Sequence, residues 1–212
     1  MAEEGKVIER PNIPRASSAL IMNDMINANL RGSDSSRNSG IEDSGIIKNT
    51  QRLVSRLRPN GIPVFWVRVE RRPDQADVVD VLTDAFLASG RKRAAPIVKG
   101  SYEAANVDEL PIEPEDQVII KPRFNPFIGT DLDLLLRARR VDTLLMGGYS
   151  TNIGVESCVR TARDLGYNVV VLSDCCFNVD RELHEWSLGK IMPLFARVMT
   201  SQEAVELLVP LS

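Results

Sequence analysis

Thr143-Leu-Leu-Met-Gly147-Gly-Tyr-Ser-Thr-Asn-Ile-Gly154 is the stretch whose reading decides the fold. A short apolar run, Thr143 to Gly147, gives way to a glycine pair and a polar turn. From residue 151 to 165 the apolar positions return at helical spacing, with Val155, Cys158, Val159, Ala162 and Leu165 on one stripe. A buried strand followed by an amphipathic helix is half of a βαβ unit. Asn168-Val-Val-Val-Leu-Ser173 completes it.

The same alternation extends outward. Upstream, Ala19-Leu-Ile-Met22 is a short buried run ending in Asn23-Asp24. Ile46, Ile47, Thr50, Leu53, Val54 and Leu57 form the apolar face of a helix, which Asn60-Gly61 stops before a strand over 63–69. Gln117-Val-Ile-Ile-Lys121 is a further strand, and Thr130 can cap a helix carrying Leu132, Leu135 and Leu136. Downstream come a helix over 181–192, a strand over 196–200 and a closing helix over 202–208. Residues 31–45, rich in Ser, Gly, Asn and Asp, read as a long loop; 70–116 is the least regular part, with a short helix expected around Val78 to Leu87.

Strands buried on both faces and separated by helices predict an α/β protein: a doubly wound, mainly parallel six-stranded sheet with helices on both faces, a Rossmann-like three-layer sandwich. Residues 17–212 read as a single domain, preceded by a polar, flexible arm over 1–16.

Composition narrows the function. The 212 residues are 43% hydrophobic and 26% charged, with a net charge of −3, which argues against a general nucleic-acid binder. Three cysteines cannot make a disulfide framework, so a reducing, cytoplasmic setting is expected. The single histidine, His184, excludes a His-rich metal site within one chain. No run approaches the ~20 apolar residues of a membrane span.

In doubly wound sheets, ligands bind beyond the carboxyl ends of the strands. Asp24, Lys121 and the 147–154 turn stand just past such ends. Asp24 is there either to exchange a proton or to cap its own turn. Lys121 either pairs with a buried partner or extends its ammonium to solvent. Gly154 either presents backbone N–H groups at a helix start or simply permits close approach of the turn to the sheet. Cys158 faces the core as a small hydrophobe.

Three ordered blocks carry a family resemblance: Ala19-Leu-Ile-Met-Asn-Asp-Met-Ile-Asn27, Lys121-Pro-Arg-Phe-Asn-Pro-Phe-Ile-Gly-Thr-Asp-Leu132 and Gly148-Tyr-Ser-Thr-Asn-Ile-Gly-Val-Glu-Ser157. With Arg160, Gly166-Tyr167 and Ser173-Asp174, the chain resembles the isochorismatase-like hydrolase superfamily, related to cysteine hydrolases, over most of residues 17–208. The resemblance implies an Asp–Lys–Cys triad. Asp24 and Lys121 fall on its first two positions, and Gly154 stands where the nucleophilic Cys belongs. It further implies a cis peptide joining Tyr149 to Ser150, and Tyr149, Ser150 and Phe127 are expected to bind the substrate. The arginines of Arg68-Val-Glu-Arg-Arg-Pro73 are either a solvated face or serve to attract a carboxylated substrate, with Arg68 as the expected contact. The metal of nicotinamidases has no counterpart in Arg68-Val-Glu-Arg-Arg-Pro73, so no metal or cofactor is expected. True isochorismatases also lack the Cys and cleave a vinyl ether.

The expected function is hydrolysis of a small anionic molecule, at a vinyl ether or C–N bond, by Asp24 and Lys121 without a thiol. The alternative is a non-catalytic ligand-binding or scaffold protein on the same fold. The partners expected are a small-molecule substrate and further copies of the chain, since relatives associate and Trp66, Trp186 and several leucines need cover; nucleic acid and membrane are not expected.

Overall fold

The computed structural model describes residues 11–32, 35–77 and 95–209. Among these, the strands are β1 Ile13–Pro14, β2 Ser18–Asn23, β3 Val64–Arg68, β4 Gln117–Ile120, β5 Thr143–Tyr149, β6 Asn168–Phe177, β7 Arg197–Met199 and β8 Leu208–Val209. The α-helices are α1 Asn27–Leu30, α2 Ser35–Ser44, α3 Ile46–Leu57, α4 Leu132–Ala138, α5 Glu156–Asp164, α6 Arg181–Trp186 and α7 Ser201–Glu206.

Six strands form one parallel sheet in the order β4-β3-β2-β5-β6-β7. The chain winds outward from β2 to one edge, then returns to start again at β5. That reversal leaves a crevice between the carboxyl ends of β2 and β5, where a doubly wound sheet binds its ligands.

Side chains alternate across the sheet and build two cores. Leu20, Met22, Val64, Trp66, Leu145, Val170 and Leu172 pack with α2, α3 and α7 on one face. Ala19, Ile21, Phe65, Val67, Leu144, Met146, Val169 and Val171 pack with α4 and α5 on the other. Each Val, Leu, Ile, Met or Phe among these contributes about 1.5–3 kcal/mol on burial, so a one-residue slip of any central strand is strongly opposed.

Several expectations need correction. Residues 35–44 are helical rather than looped: Ile41 is buried, and Gly45, at φ 68°, ends the helix. Packing has overridden weak local propensity there. The strand β4 is an edge with Val118 and Ile120 exposed, so it is not buried on both faces. Ile13 and Pro14, assigned to the flexible arm, pair with Leu208 and Val209, and Ile13 is fully buried. Trp66 needs no partner subunit for cover: it is 1% exposed, and its indole N–H donates to Asp116 Oδ2 at 2.8 Å. Leu165 stands 39% exposed at the end of the α5 stripe. The helix expected around Val78 to Leu87 lies outside the described residues. Among the described residues no helix is long and apolar enough to cross a membrane.

Candidate active site

The crevice holds a cavity of about 370 Å³ lined by Asp24, Lys121, Ser150, Gly154 and their neighbours. Asp24 follows β2 directly. Its backbone sits at φ 52°, a conformation Asp tolerates better than most residues, and its N–H donates to Val67 O at 2.7 Å. This bend lifts the carboxylate out of the sheet. Lys121 follows β4 and is tied to β3 by its N–H donating to Arg68 O at 3.0 Å.

The two side chains meet. Lys121 Nζ donates to Asp24 Oδ2 at 2.5 Å and to Phe124 O at 3.1 Å. Both residues are buried, so the lysine is not a snorkelling one, and the carboxylate is engaged by the lysine rather than capping its own turn. Among the described residues no group stands within hydrogen-bond geometry of the buried Asp24 Oδ1. Burial pushes the Asp24 carboxyl above its usual range, and the Lys121 charge pulls against that rise without cancelling it.

The third element is the turn after β5. The peptide bond from Tyr149 to Ser150 is cis. A wide helical turn, Thr151–Val155, follows and runs into α5, with Val155 N–H reaching back to Ser150 O at 3.2 Å. Gly154 therefore lies in the first turns of a continuous helical segment, whose dipole presents its positive end to the crevice. A Cβ on Gly154 would point between the pair, 3.5 Å from Lys121 Nζ and 3.7 Å from Asp24 Oδ2. A Cβ fits there in ordinary contact, and residue 154, being glycine, places none.

The remaining expected residues divide. Tyr149 and Ser150 line the cavity, Tyr149 stacked on Phe177 with ring centroids 6.3 Å apart. Phe127 does not line it; its ring packs against Tyr167 at 6.1 Å. The aromatic at the mouth is Phe124, 72% exposed. Its loop is pinned from the next residue, where Asn125 Nδ2 donates to Ser157 O and Thr161 Oγ1. Arg68 is likewise displaced from the cavity and faces Glu70 at 3.7 Å. Arg71 takes its place. The Arg71 guanidinium donates only to backbone carbonyls, those of Glu70, Lys121 and Pro122, so no carboxylate among the described residues neutralises it. Arg123 also lines the cavity, donating to Pro122 O. Asp24 and Lys121 pair with each other, so among the described residues that line the cavity these two arginines are the remaining charges, both positive.

Cys158 is fully buried in the second core, and burial pushes its thiol up to about 12. It cannot supply a thiolate to the crevice. Among the described residues no three His, Cys, Asp or Glu side chains converge as metal ligands. The site can therefore do proton transfer and anion binding with its own side chains. Phe124 escaped the sequence reading, and Arg71 stood in it only as one of the arginines of 68–72, because loop geometry, not spacing, turns these two inward.

Comparison with known proteins places this arrangement. Residues 18–203 match the isochorismatase domain model. The isochorismatase family protein YecD of Escherichia coli O157:H7 is 36% identical over 163 residues, 77% of this chain and 83% of its own. The ureidoacrylate amidohydrolase RutB of Methylobacterium radiotolerans is 33% identical over 196 residues, 86% of this chain and 76% of its own. An isochorismatase family protein from Burkholderia thailandensis superposes with a TM-score of 0.77 at 28% identity, covering 93% of this chain and 97% of that one.

Proposed function

The chain belongs to the isochorismatase family of hydrolases, and from that premise we propose that it hydrolyses a small, carboxylate-bearing enol ether, with Asp24 as the acid and water as the nucleophile. One observation carries this reading: the space beside Asp24 and Lys121 that Gly154 leaves open. A thioester route needs a sulfur there, and none is supplied. Enol-ether cleavage needs only an acid, a cation-tolerant pocket and water.

The steps balance without a cofactor. Asp24 gives its proton to the enol carbon, and the C=C electron pair forms the new C–H bond. The ether-bearing carbon becomes an oxocarbenium centre, stabilised by the carboxylate left on Asp24. Water adds to it and returns a proton to Asp24. The hemiketal then breaks its C–O bond, its hydroxyl proton passing to the departing oxygen, and an alcohol and a ketone are released. Burial favours the protonated acid that this sequence starts from. Lys121 opposes it, and a substrate carboxylate beside Lys121 relieves that opposition. Two of the three ammonium N–H donors are engaged by Asp24 and Phe124, which leaves one for the substrate. Arg71 offers a planar fork to the same carboxylate, while Phe124 and Ile153 cover the apolar part.

The test is a panel of enol ethers of carboxylic acids, with amides and ureides beside them, run in D2O. Turnover of the enol ethers with deuterium on the former enol carbon is expected. Turnover restricted to amides or ureides would overturn the reading. Saturable binding of the enol ethers without turnover would favour the non-catalytic reading, which the missing side chain at Gly154 also suits.

A further inference from the structure

Two side-chain hydrogen bonds fasten the turn of the candidate site to one distant segment. Ser150 Oγ donates to Asn178 Oδ1 at 2.8 Å, and Thr151 Oγ1 lies 2.8 Å from His184 Nδ1. Asn178 and His184 stand at the two ends of one stretch, just before α6 and within it. The helix is itself secured, since Leu183 N–H donates to the capping carboxylate of Asp180 at 3.0 Å. Thr151 is fully buried and opens the wide turn that carries Gly154. His184 is the sole histidine of the chain, and it takes no part in the chemistry proposed above.

We propose that His184 is a positioning residue: through Thr151 it holds the 150–154 turn so that Gly154 faces Asp24 and Lys121. This rests on the reading of that crevice as the active site. A hydroxyl in a closed interior needs a partner, and leaving it without one costs about 1–3 kcal/mol. The energy is therefore spent on one placement of the turn, and the imidazole selects it. Burial lowers the His184 pKa, with Glu185 opposing and Arg181 reinforcing that shift, so the ring is neutral near pH 7 and can accept the Thr151 proton. The other tether, Ser150 to Asn178, fixes the start of the turn but reaches the chain one residue earlier. Loss of the histidine leaves, of these two side-chain tethers, only the one at Ser150.

The experiment reads the turn directly, without a substrate. In Gly154→Cys protein the introduced thiol reports on its distance from Lys121 through its pKa, followed by alkylation rate against pH. Adding His184→Ala is expected to raise that pKa by about one unit, cutting the thiolate present at pH 7 about tenfold. Adding His184→Asn, whose amide oxygen can occupy the place of Nδ1, is expected to restore it. Equal thiol pKa values in all three proteins overturn the tether. A thiol that titrates like free cysteine already in Gly154→Cys counts instead against the active-site reading. The tether is then judged on the native glycine: the Gly154 amide resonance should move in His184→Ala and in Thr151→Val, and return in His184→Asn. A Gly154 resonance unmoved in folded His184→Ala and Thr151→Val overturns the tether. The single imidazole resonance should shift in Thr151→Val and be recovered in Thr151→Ser; no shift would likewise overturn it.

Discussion

Asp24 and Lys121, separated by 97 residues of sequence, join at 2.5 Å with side chains only 12% and 4% exposed. The strands β2 and β4, which belong to the same winding of the sheet with β3 between them, bring the two side chains together. A pair sealed in this way is costly to break, because either residue left alone is a buried, uncompensated charge.

Lys121→Met is therefore expected to cost about 3–5 kcal/mol of stability at neutral pH. Adding Asp24→Asn should return part of that loss. The pH dependence has a definite sign. With its folded pKa raised, Asp24 holds its proton longer folded than unfolded, so its unfavourable contribution grows as pH rises from the unfolded value of about 3.9 through the folded one. Lys121→Met should raise that pKa further, and its melting temperature relative to the double variant should fall across this window. Parallel melting curves across the whole pH range would contradict the pairing.

Gly154→Cys should be accommodated. Its nearest new contacts, at 3.5 to 3.7 Å, are ordinary, and the backbone is not in the left-handed region. Stability should be unchanged or higher by up to about 1 kcal/mol, the entropy gained by replacing a helical glycine. The thiol should titrate below the ~8.5 of a free cysteine, drawn down by Lys121 and the helix start. Differential scanning fluorimetry and alkylation kinetics check both points. A strongly destabilised variant would contradict the geometry at Gly154.

Alkylating agents and chelators should leave activity intact in the folded wild-type protein. Cys158, Cys175 and Cys176 are buried, and burial pushes the Cys158 and Cys176 thiols up to about 12. Complete inactivation by iodoacetamide or EDTA, with the melting temperature preserved, would oppose the proposed mechanism.

Arg71 separates binding from chemistry. Arg71→Ala should raise KM for a carboxylated substrate by about 10-fold to 100-fold, the worth of a charge-assisted pair, with kcat less affected. Arg71→Lys should recover only part of it, because an ammonium lacks the planar fork. Arg68→Ala should leave KM unchanged. If the two substitutions have the same effect on KM, the assignment of the carboxylate to Arg71 fails.

Much of the fold was legible in the chain because its signals are local. Two-residue alternation and helical spacing are written in adjacent residues, so β2, β3, β5 and α3 could be read almost to their ends. The segment over 35–44 could not, since its helix depends on Ile41 finding a core made by distant residues. The positions of Asp24, Lys121 and Gly154 at strand ends followed from the same local pattern, together with the family blocks.

What the sequence determined by itself is the layered sheet, the crevice at its reversal and the absence of a thiol at Gly154. What only the tertiary structure decided is which side chains enter that crevice. Arg68 shares the strand parity of Val64 and Trp66, and so belongs to the α3 face, whereas Arg71, beyond the strand, is set by its pairing with residues 97–99. Phe124 and Phe127 are three residues apart in a loop without a period, where Asn125 binding to α5 settles which ring faces out. Regular elements fix side-chain direction by backbone repetition, but a loop acquires direction only from the contacts it makes after folding.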